Sequence, residues 1–584
     1  MFFRATTRRR GDKVYQSLHL VESYRSKEGK VRQRILVNFG AVHKYTPVQV
    51  EEIIQGLKKF FHLEAPAPEV VPPKASQDFG ATYAIFRLWE QLGWTQVFQY
   101  YLRKRRHDFD VVGNLKVMVA NRLLDPLAKL HILDWMEGVY FPGLDREQID
   151  YNHLLRTLDV LISHKEELEP KLARPILTLF DNPLDLVFYD LTSCYFEIDQ
   201  QDKNQPAVSQ PAKSTLRNRG YDRDRSGCPQ VVLGLVMTKD GIPLCHHVFP
   251  GETPDKVTLQ KVVHDLKARF PIQRCIVVGD RGLLSEDNLK ALTAAQLDFI
   301  VARPLRRNLI AQEVLSALAP QIRAQINHWH QTQTPLTERQ GFFEVTLEGR
   351  RFVVAHQDDI AQQTKKTRQR KLIKATAYIT ERLARTIMQQ KGSIPVTGKA
   401  LNHQETLLHL HTYLKDRQLL RYYRLRLDEQ GQVECPAHEE NRQWELTIDG
   451  KLLLETTNHT LSPQETVQQY KELQDIERCF RTLKSSLDIR PMYHWVDRRI
   501  EAHIFMCVMA LQLQRVLRHR LRTAKIDTSP ERVLEKLSFQ RTVAANINGR
   551  TVQGIIPPTQ GQLKIFDALQ LPAPQHQNLQ DPAL

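Results

Sequence analysis

The sequence predicts an α/β protein built in several parts, and three observations carry that reading. Strand-like and helical runs follow one another as βββ-α-β-α-β over residues 181–304, strong helical periodicity returns at 461–523, and the polar stretch 305–460 between them reads as a mainly β insertion. A helical block at 77–180 and an N-terminal β-hairpin precede this core. At 584 residues the chain is too long for one core, and a prior of roughly 150 residues per domain suggests about four.

Taken in order, VYQSLHLVESY and KVRQRILVNFG alternate around a polar RSKEG turn, the pattern of a hairpin. A helix follows in TPVQVEEIIQGLKKFFHL, with Thr46 as cap and Pro47 in the first helical position, and closes a unit at 1–63. The Pro-rich APAPEVVPPK predicts an extended linker at 64–76. From 77 to 180, AIFRLWEQLGW, NLKVMVANRLLD, LAKLHILDWM and YNHLLRTLDVLI repeat apolar residues three and four apart. The run Arg103-Lys104-Arg105-Arg106 gives this block a basic loop suited to a polyanion, a solvated charged face being the equal alternative.

The next part opens with three strands, LDLVFYDLTSCYFE, QVVLGLVMTKDG and IPLCHHVFPG, the last two turning at Lys239-Asp240-Gly241. Then come a helix in TLQKVVHDLKARF, the strand RCIVVGDRG, a helix in SEDNLKALTAAQ and the strand DFIVARP. Ile276-Val277-Val278 lacks alternation, which suits a strand buried on both faces. In 305–460, GFFEVTLEGRRFVVAH and QWELTIDGKLLLETTN each predict a hairpin, the second turning at Asp449-Gly450, with a basic helix from Lys365 through Lys371 between them. Helices are expected at 464–490 and 496–522, and disorder in the loosely patterned tail 524–584.

Lys plus Arg number 82 against 66 Asp plus Glu, a formal charge of +16 that fits a polyanionic partner whose counterions those side chains release. The seven cysteines are scattered and form no CxxC, which argues against a disulfide framework or thiolate zinc site and for a reducing compartment. His246-His247, His328 with His330, and His409 with His411 lack the paired spacing of zinc sites. The start MFFRATTRRRGDK offers no apolar signal segment, and no run approaches the ~18–20 apolar residues of a membrane span. A cytoplasmic protein without membrane association is therefore expected.

Two acids stand out by context. Asp190 ends the apolar run Leu186-Val187-Phe188-Tyr189, and Asp280 ends Ile276-Val277-Val278-Gly279. A carboxylate at the carboxyl end of a buried strand is rigidly held yet reaches the sheet edge where ligands bind. Thr192 should share the face of Asp190, and Gly279 and Gly282 leave backbone room beside Asp280. A third acid is helical: in QYKELQDIERCFRTLKSSLDIRP, residues seven apart fall within about 20° of each other, so Tyr470, Glu477 and Lys484 form one stripe with Arg481 beside it. Ile476, Phe480, Leu483 and Leu487 form the apolar stripe. Each acid alone has a plainer reading, a turn cap for the aspartates and an i,i+4 surface salt bridge for Glu477.

Together they resemble the DDE-type insertion-sequence transposases, in the insertion-sequence-four superfamily whose last acid sits in Tyr-x2-Arg-x3-Glu-x6-Lys, and within it the IS1634-type branch. Tyr470, Glu477 and Lys484 match that motif, while Leu473 stands where it has Arg, leaving Lys471 or Arg481 to supply that phosphate contact. YDLTSCYFE carries the first acid and VVGDRGLLSEDNL the second; RGYDRDRSGCPQVVLGLVMTKDGIPLCHHVFPGETPDKVTL and RPMYHWVDRRIEAHIFMCVMAL are similar to the same family. The likeness runs from about residue 10 to 520.

The resemblance implies an RNase H-like catalytic domain at 181–304 and 461–523, a β-rich insertion at 305–460 and a DNA-binding role for 77–180. In relatives such an insertion contacts the transposon end and can stack a flipped base, for which Trp329 and Trp444 are candidates beside the commoner role of a core Trp. It further implies catalytic and metal-binding roles for Asp190, Asp280 and Glu477, and DNA or phosphate contacts from Tyr470, Arg481 and Lys484. An all-oxygen site selects hard cations, so two Mg²⁺ or Mn²⁺ ions are expected. The expected partners are double-stranded DNA, as terminal inverted repeats and as target, and a second copy in the synaptic complex, in a prokaryotic cytoplasm or nucleoid. No GxxxxGK[ST] loop implies a nucleotide. The competing readings are an RNase H-like nuclease that only hydrolyses and a domesticated DNA-binding protein that does not cut.

Overall fold

The computed structural model describes residues 1–10, 13–61, 73–103, 105–181, 186–198, 215–221, 227–254, 257–270, 276–279, 285–393, 402–547 and 550–579. These fall into two compact units, 1–75 with 544–553, and 76–543 with 554–584.

In the first unit, β1 (Phe2–Arg10), β2 (Lys13–Arg25) and β3 (Val31–Ala41) form an antiparallel sheet in that order. The expected hairpin is β2–β3; β1 joins it, pairing Phe2 with Val21 through to Arg10 with Lys13. FFRATTRRR hides this strand because its charge masks any apolar alternation. Helix α1 (Pro47–Phe60) starts as expected, its Thr46 hydroxyl and the Gln49 side chain each capping the other's backbone N–H. Strand β4 (Pro73–Asp78) begins inside the expected linker, whose residues 64–72 lie outside the described residues.

The second unit opens with α2 (Gly80–Gln91), α3 (Trp94–Leu102), α4 (Val111–Leu124), α5 (Ile132–Trp135), α6 (Tyr151–Ser163) and α7 (Lys165–Leu179). Next are β5 (Leu186–Tyr195), β6 (Gln230–Thr238), β7 (Pro243–Pro250), α8 (Thr258–Arg269), β8 (Ile276–Gly279), α9 (Glu286–Ala294) and β9 (Asp298–Ala302), in the expected βββ-α-β-α-β order. The strands lie side by side as β7-β6-β5-β8-β9, with β5 antiparallel to β6 and parallel to β8. Every residue of β6 is buried, as an apolar strand covered on both faces requires.

The stretch 305–460 departs from expectation. It holds α10 (Leu309–Gln331), β10 (Gln340–Leu347), β11 (Arg350–Gln357), α11 (Asp358–Gln390), α12 (His403–Asp416), β12 (Arg426–Leu427), β13 (Val433–Glu434), α13 (Glu439–Ile448) and β14 (Lys451–Thr456). It is therefore mainly helical rather than β-rich. Its longer strands build no sheet of their own but extend the central one as β9-β14-β11-β10, eight strands in all. The first expected hairpin is β10–β11, turning through Glu348 and Gly349 at positive φ. The second is not a hairpin: QWELTI is the end of α13, where Glu445 and Ile448, three apart, are the buried pair. The mistaken period came from reading a short amphipathic helix as alternation.

After it come α14 (Pro463–Lys471), α15 (Leu473–Ser485), α16 (Asp497–Thr523), α17 (Pro530–Ser538), β15 (Arg541–Ile547), β16 (Arg550–Ile555) and α18 (Gln560–Ala568). The expected disordered tail is instead ordered through 579: Leu569 and Leu579 are buried, and the Tyr140 hydroxyl donates to the Leu579 carbonyl at 2.8 Å. Residues 580–584 lie outside the described residues.

Helix α16 organises this unit. It is long and apolar enough to cross a membrane by length and composition, contrary to the expectation that no such run exists, yet it is almost wholly buried within the protein. A helix apolar all round must be surrounded, and α4, α6 and α7 pack against it with β7, α15 and α17. One apolar cluster accordingly runs from Phe79 through Leu158 and Phe505 to Leu579. The block 77–180 is thus part of the core of the larger unit, not a separate helical domain.

Candidate active site

Asp190 lies in the middle of β5, not at its end, because Leu191 through Tyr195 continue the pairing with β6. It pairs with Leu235, is half-buried, and its Oδ1 accepts the Leu191 backbone N–H at 2.7 Å. Thr192, two residues on and so on the same face, is buried. On the other side of β5, Tyr189 pairs in parallel with Gly279, the last residue of β8. Asp280 and Gly282 lie outside the described residues.

Glu477 is carried by α15, which packs on β5 and on α16. The helix is held by its apolar face: Leu473, Ile476, Cys479, Phe480, Leu483 and Leu487 are all buried. The Cys479 thiol donates to the Gly241 carbonyl at 3.6 Å. Gly241 is required there, because its φ is +71° and a Cβ would stand 2.8 Å from that sulfur. The β6–β7 turn is thereby locked under α15. Glu477 and Arg481 are exposed one helical turn apart, and Lys484 is half-buried one turn further.

The stripe was expected to run unbroken from Tyr470 to Lys484, and it does not. A turn at Glu472 separates α14 from α15, with the Glu472 N–H shared between the Gln468 and Tyr470 carbonyls. The break lets α14 bury Thr466 and Val467 on the sheet while α15 turns its own apolar face onto β5 and α16. Tyr470, half-buried against the core, therefore belongs to α14, and only Glu477, Arg481 and Lys484 share a helix. Leu473 also has a structural account: it is the first residue of that apolar face and is 7% exposed. An Arg there would have its charge directed into packed apolar groups.

Among the described residues no group of three or more His, Cys, Asp or Glu side chains is placed to hold a metal ion; the described pair, Asp190 and Glu477, offers oxygen donors of the kind hard cations take. In the His246-His247 pair, the His246 Nδ1 lies 2.6 Å from Glu169 Oε1, a buried carboxylate also paired with Arg269, and the His247 Nδ1 lies 3.5 Å from Asp265 Oδ2. The insertion tryptophans are structural. Trp329 is buried, and Trp444 donates its indole N–H to the Leu305 carbonyl at 3.0 Å. On α11, by contrast, Lys365, Lys366, Arg370 and Lys371 are exposed around Arg368, which alone turns inward to pair with Asp449 at 2.7 Å.

Residues not singled out from the sequence lie near the end of β5. Arg217 is buried between Phe196 and the exposed Trp495, its guanidinium 4.6 Å from the Trp495 ring, and Arg490 lies 5.2 Å over Tyr195. The interleaved aromatic and basic residues of RPMYHWVDRR were the available signal.

Two family models match the chain: "IS1634 family transposase, N-terminal domain" over residues 3–66, and "Transposase DDE domain" over 206–513, more than half its length. No curated protein matches significantly. Among solved structures, a piggyBac transposase synaptic complex with hairpin DNA aligns at 9% identity over 78% of this chain and 79% of that one, TM-score 0.33. The Mos1 transposase paired-end complex with left transposon end aligns at 13% identity over 33% and 60%, TM-score 0.14. The Mos1 mariner paired-end complex with Mn aligns at 14% identity over 44% and 73%, TM-score 0.14. At such scores the likeness is loose, and membership rests on the sequence models.

Proposed function

Because the chain belongs to the IS1634-type DDE transposases, we propose that it cuts transposon ends and joins them to target DNA with Asp190, Asp280 and Glu477 as its catalytic acids. The observation that carries this is the packing of the Glu477 helix on the very strand that holds Asp190. The strand arrangement β7-β6-β5-β8-β9 supports an RNase H-like core, as does a helix bearing the last acid.

The three carboxylates suit two hard cations, Mg²⁺ or Mn²⁺, which when bound supply Lewis-acid polarisation of the phosphate and a nucleophilic oxygen at neutral pH. Asp190 is fixed by strand pairing and by the N–H of Leu191, so its oxygens have little freedom to lose on binding. Arg481 and Lys484, on the helix of Glu477, hold the scissile phosphate and neutralise charge that develops on it. Tyr470, on the preceding helix, positions the DNA backbone. The exposed cations of α11 bind DNA away from the chemistry. Two ends must be cut together, which makes a homodimer on DNA the working form, in the cytoplasm or nucleoid.

Oligonucleotides carrying the native ends test this in one assay series. Divalent-dependent cleavage, abolished by EDTA, followed by joining to target is expected. Cleavage without joining would support the purely hydrolytic nuclease, and binding without cleavage the domesticated protein. A sharper prediction concerns Lys484→Ala, which should slow joining at saturating enzyme by about tenfold or more while lowering DNA affinity by at most one phosphate contact. The double change with Arg481→Ala should be more damaging. Joining by Lys484→Ala at the wild-type rate would reduce the site to the three acids.

A further inference from the structure

Away from the acids, a cavity of about 570 Å³ opens between the end of α4, the loop after it, α6, the segment following α15 and α16. Its lining includes Arg122, Lys129, Tyr151, Tyr493, His494 and His503. Two of these are buried cations, and the carboxylates that favour the charge of Arg122, Asp488 and Asp125, do not reach it as ion pairs. Lys129 is 5% exposed and, among the described residues, its Nζ hydrogen-bonds only the His503 Nδ1, at 3.5 Å. Arg122 is 3% exposed; it spends its terminal nitrogens on the Asp488 and Leu127 carbonyls and Asn121 Oδ1, and its Nε is buried with no acceptor. Among the described residues neither makes an ion pair with a carboxylate.

The imidazoles of the lining are neutral and leave the charge of the two cations unbalanced. His503 Nε2 lies 3.4 Å from the Ile489 carbonyl, so a neutral ring donates there and accepts from Lys129 at Nδ1. Burial holds His503 well below the usual imidazole range and His494 down to about 3, and burial with Arg122 nearby pushes Lys129 down to about 7. The one acid of the lining, Asp488, is exposed, so water screens its charge. A buried cation left unpaired destabilises the fold, and an anion that enters beside it offsets that cost. The mouth is open, with Leu130 and Tyr493 both more than half exposed.

We propose that this cavity is a phosphate-binding site that takes a backbone phosphate of bound DNA, with Lys129 and Arg122 at its base. The DNA source rests on the transposase reading above; the phosphate chemistry does not. The segment that lines it, Asp488 to His494, leaves directly from the end of the Glu477 helix, so occupancy would tie DNA contact to the setting of that helix. This is separate from the roles given to Arg481 and Lys484.

The test uses the full-length chain and Lys129→Met, which keeps the stem of the side chain and removes the charge. Without ligand this variant should melt no lower than wild type, since an unpaired buried charge is gone; Lys129→Arg, which keeps a charge, controls for shape. Inorganic phosphate titrated against a chloride control of equal ionic strength should raise the melting temperature of wild type and not of Lys129→Met. On end-bearing DNA, the slope of log Kobs against log salt should shrink by about 0.9 and affinity fall by about tenfold in the variant. Both differences identify DNA as the source; the melting difference alone identifies free phosphate as the ligand and overturns the DNA assignment. If Lys129→Met matches wild type in both, the cavity binds no phosphate and the proposal fails. Wild type that shows the phosphate response yet never cleaves DNA would instead count against the transposase reading alone.

Discussion

Asp190→Asn is expected to lower end cleavage by more than about 10³-fold, beyond the 10²–10³ lost with a single preorganised electrostatic partner, with DNA affinity kept within about threefold because affinity resides in phosphate contacts elsewhere. Asn preserves the volume of the side chain, and its carbonyl oxygen can still accept the Leu191 N–H, so β5 keeps its pairing. What is lost is the negative charge and one oxygen ligand. Glu477→Gln should behave alike, since Glu477 is exposed and contributes nothing to the packing of α15. Single-turnover cleavage beside a gel-shift titration measures both quantities. Parallel loss of binding and cleavage would assign these residues a structural role, and wild-type cleavage by either variant would remove that residue from the site.

The parts of the fold that were legible in the sequence are those where one face decides the period. The βββ-α-β-α-β run and the apolar stripe of α15 were visible because buried strands and an amphipathic helix leave uninterrupted signatures. What failed did so for identifiable reasons. The interruption at Glu472 lacks Pro or Gly, so nothing local marks it; it is set by the different surfaces that α14 and α15 must cover. In 305–460 only Lys365 through Lys371 was legible as helix, because α11 is polar along most of its 33 residues, burying Asp358, Arg368, Ala375, Ile379 and Thr386. A helix with so sparse an apolar face carries little moment to read. In the candidate site, Asp190 and Glu477 could be singled out because each sits in its own local stretch, YDLTSCYFE and the Tyr470–Lys484 motif, whereas Arg217 and Trp495 meet only through tertiary contact.

The second large effect concerns how far the chemistry depends on the helices at 77–180. If they formed an independent DNA-docking domain, a cavity cut into them would weaken binding and leave the catalytic sheet intact. The structure argues otherwise, because Leu154, Leu158 and Leu161 of α6 are buried in the same apolar cluster as Phe505 and Leu511 of α16, and α16 packs in turn on β7 and α15. Asp159 reinforces the seam by pairing with Arg499 at 2.8 Å. Leu158→Ala should therefore cost ~2–5 kcal/mol, the range for a buried leucine whose surroundings relax incompletely. That loss should appear as one lowered melting transition of the unit 76–543 with 554–584, because elements that share a core lose it together. Hydrogen exchange followed by mass spectrometry should show protection falling jointly in α6, α16 and β5–β7, with cleavage lost at temperatures where wild type is still active. Exchange that rises only within 77–180, with the sheet as protected as in wild type, would restore the separate domain and place the coupling between α6 and α16 in doubt.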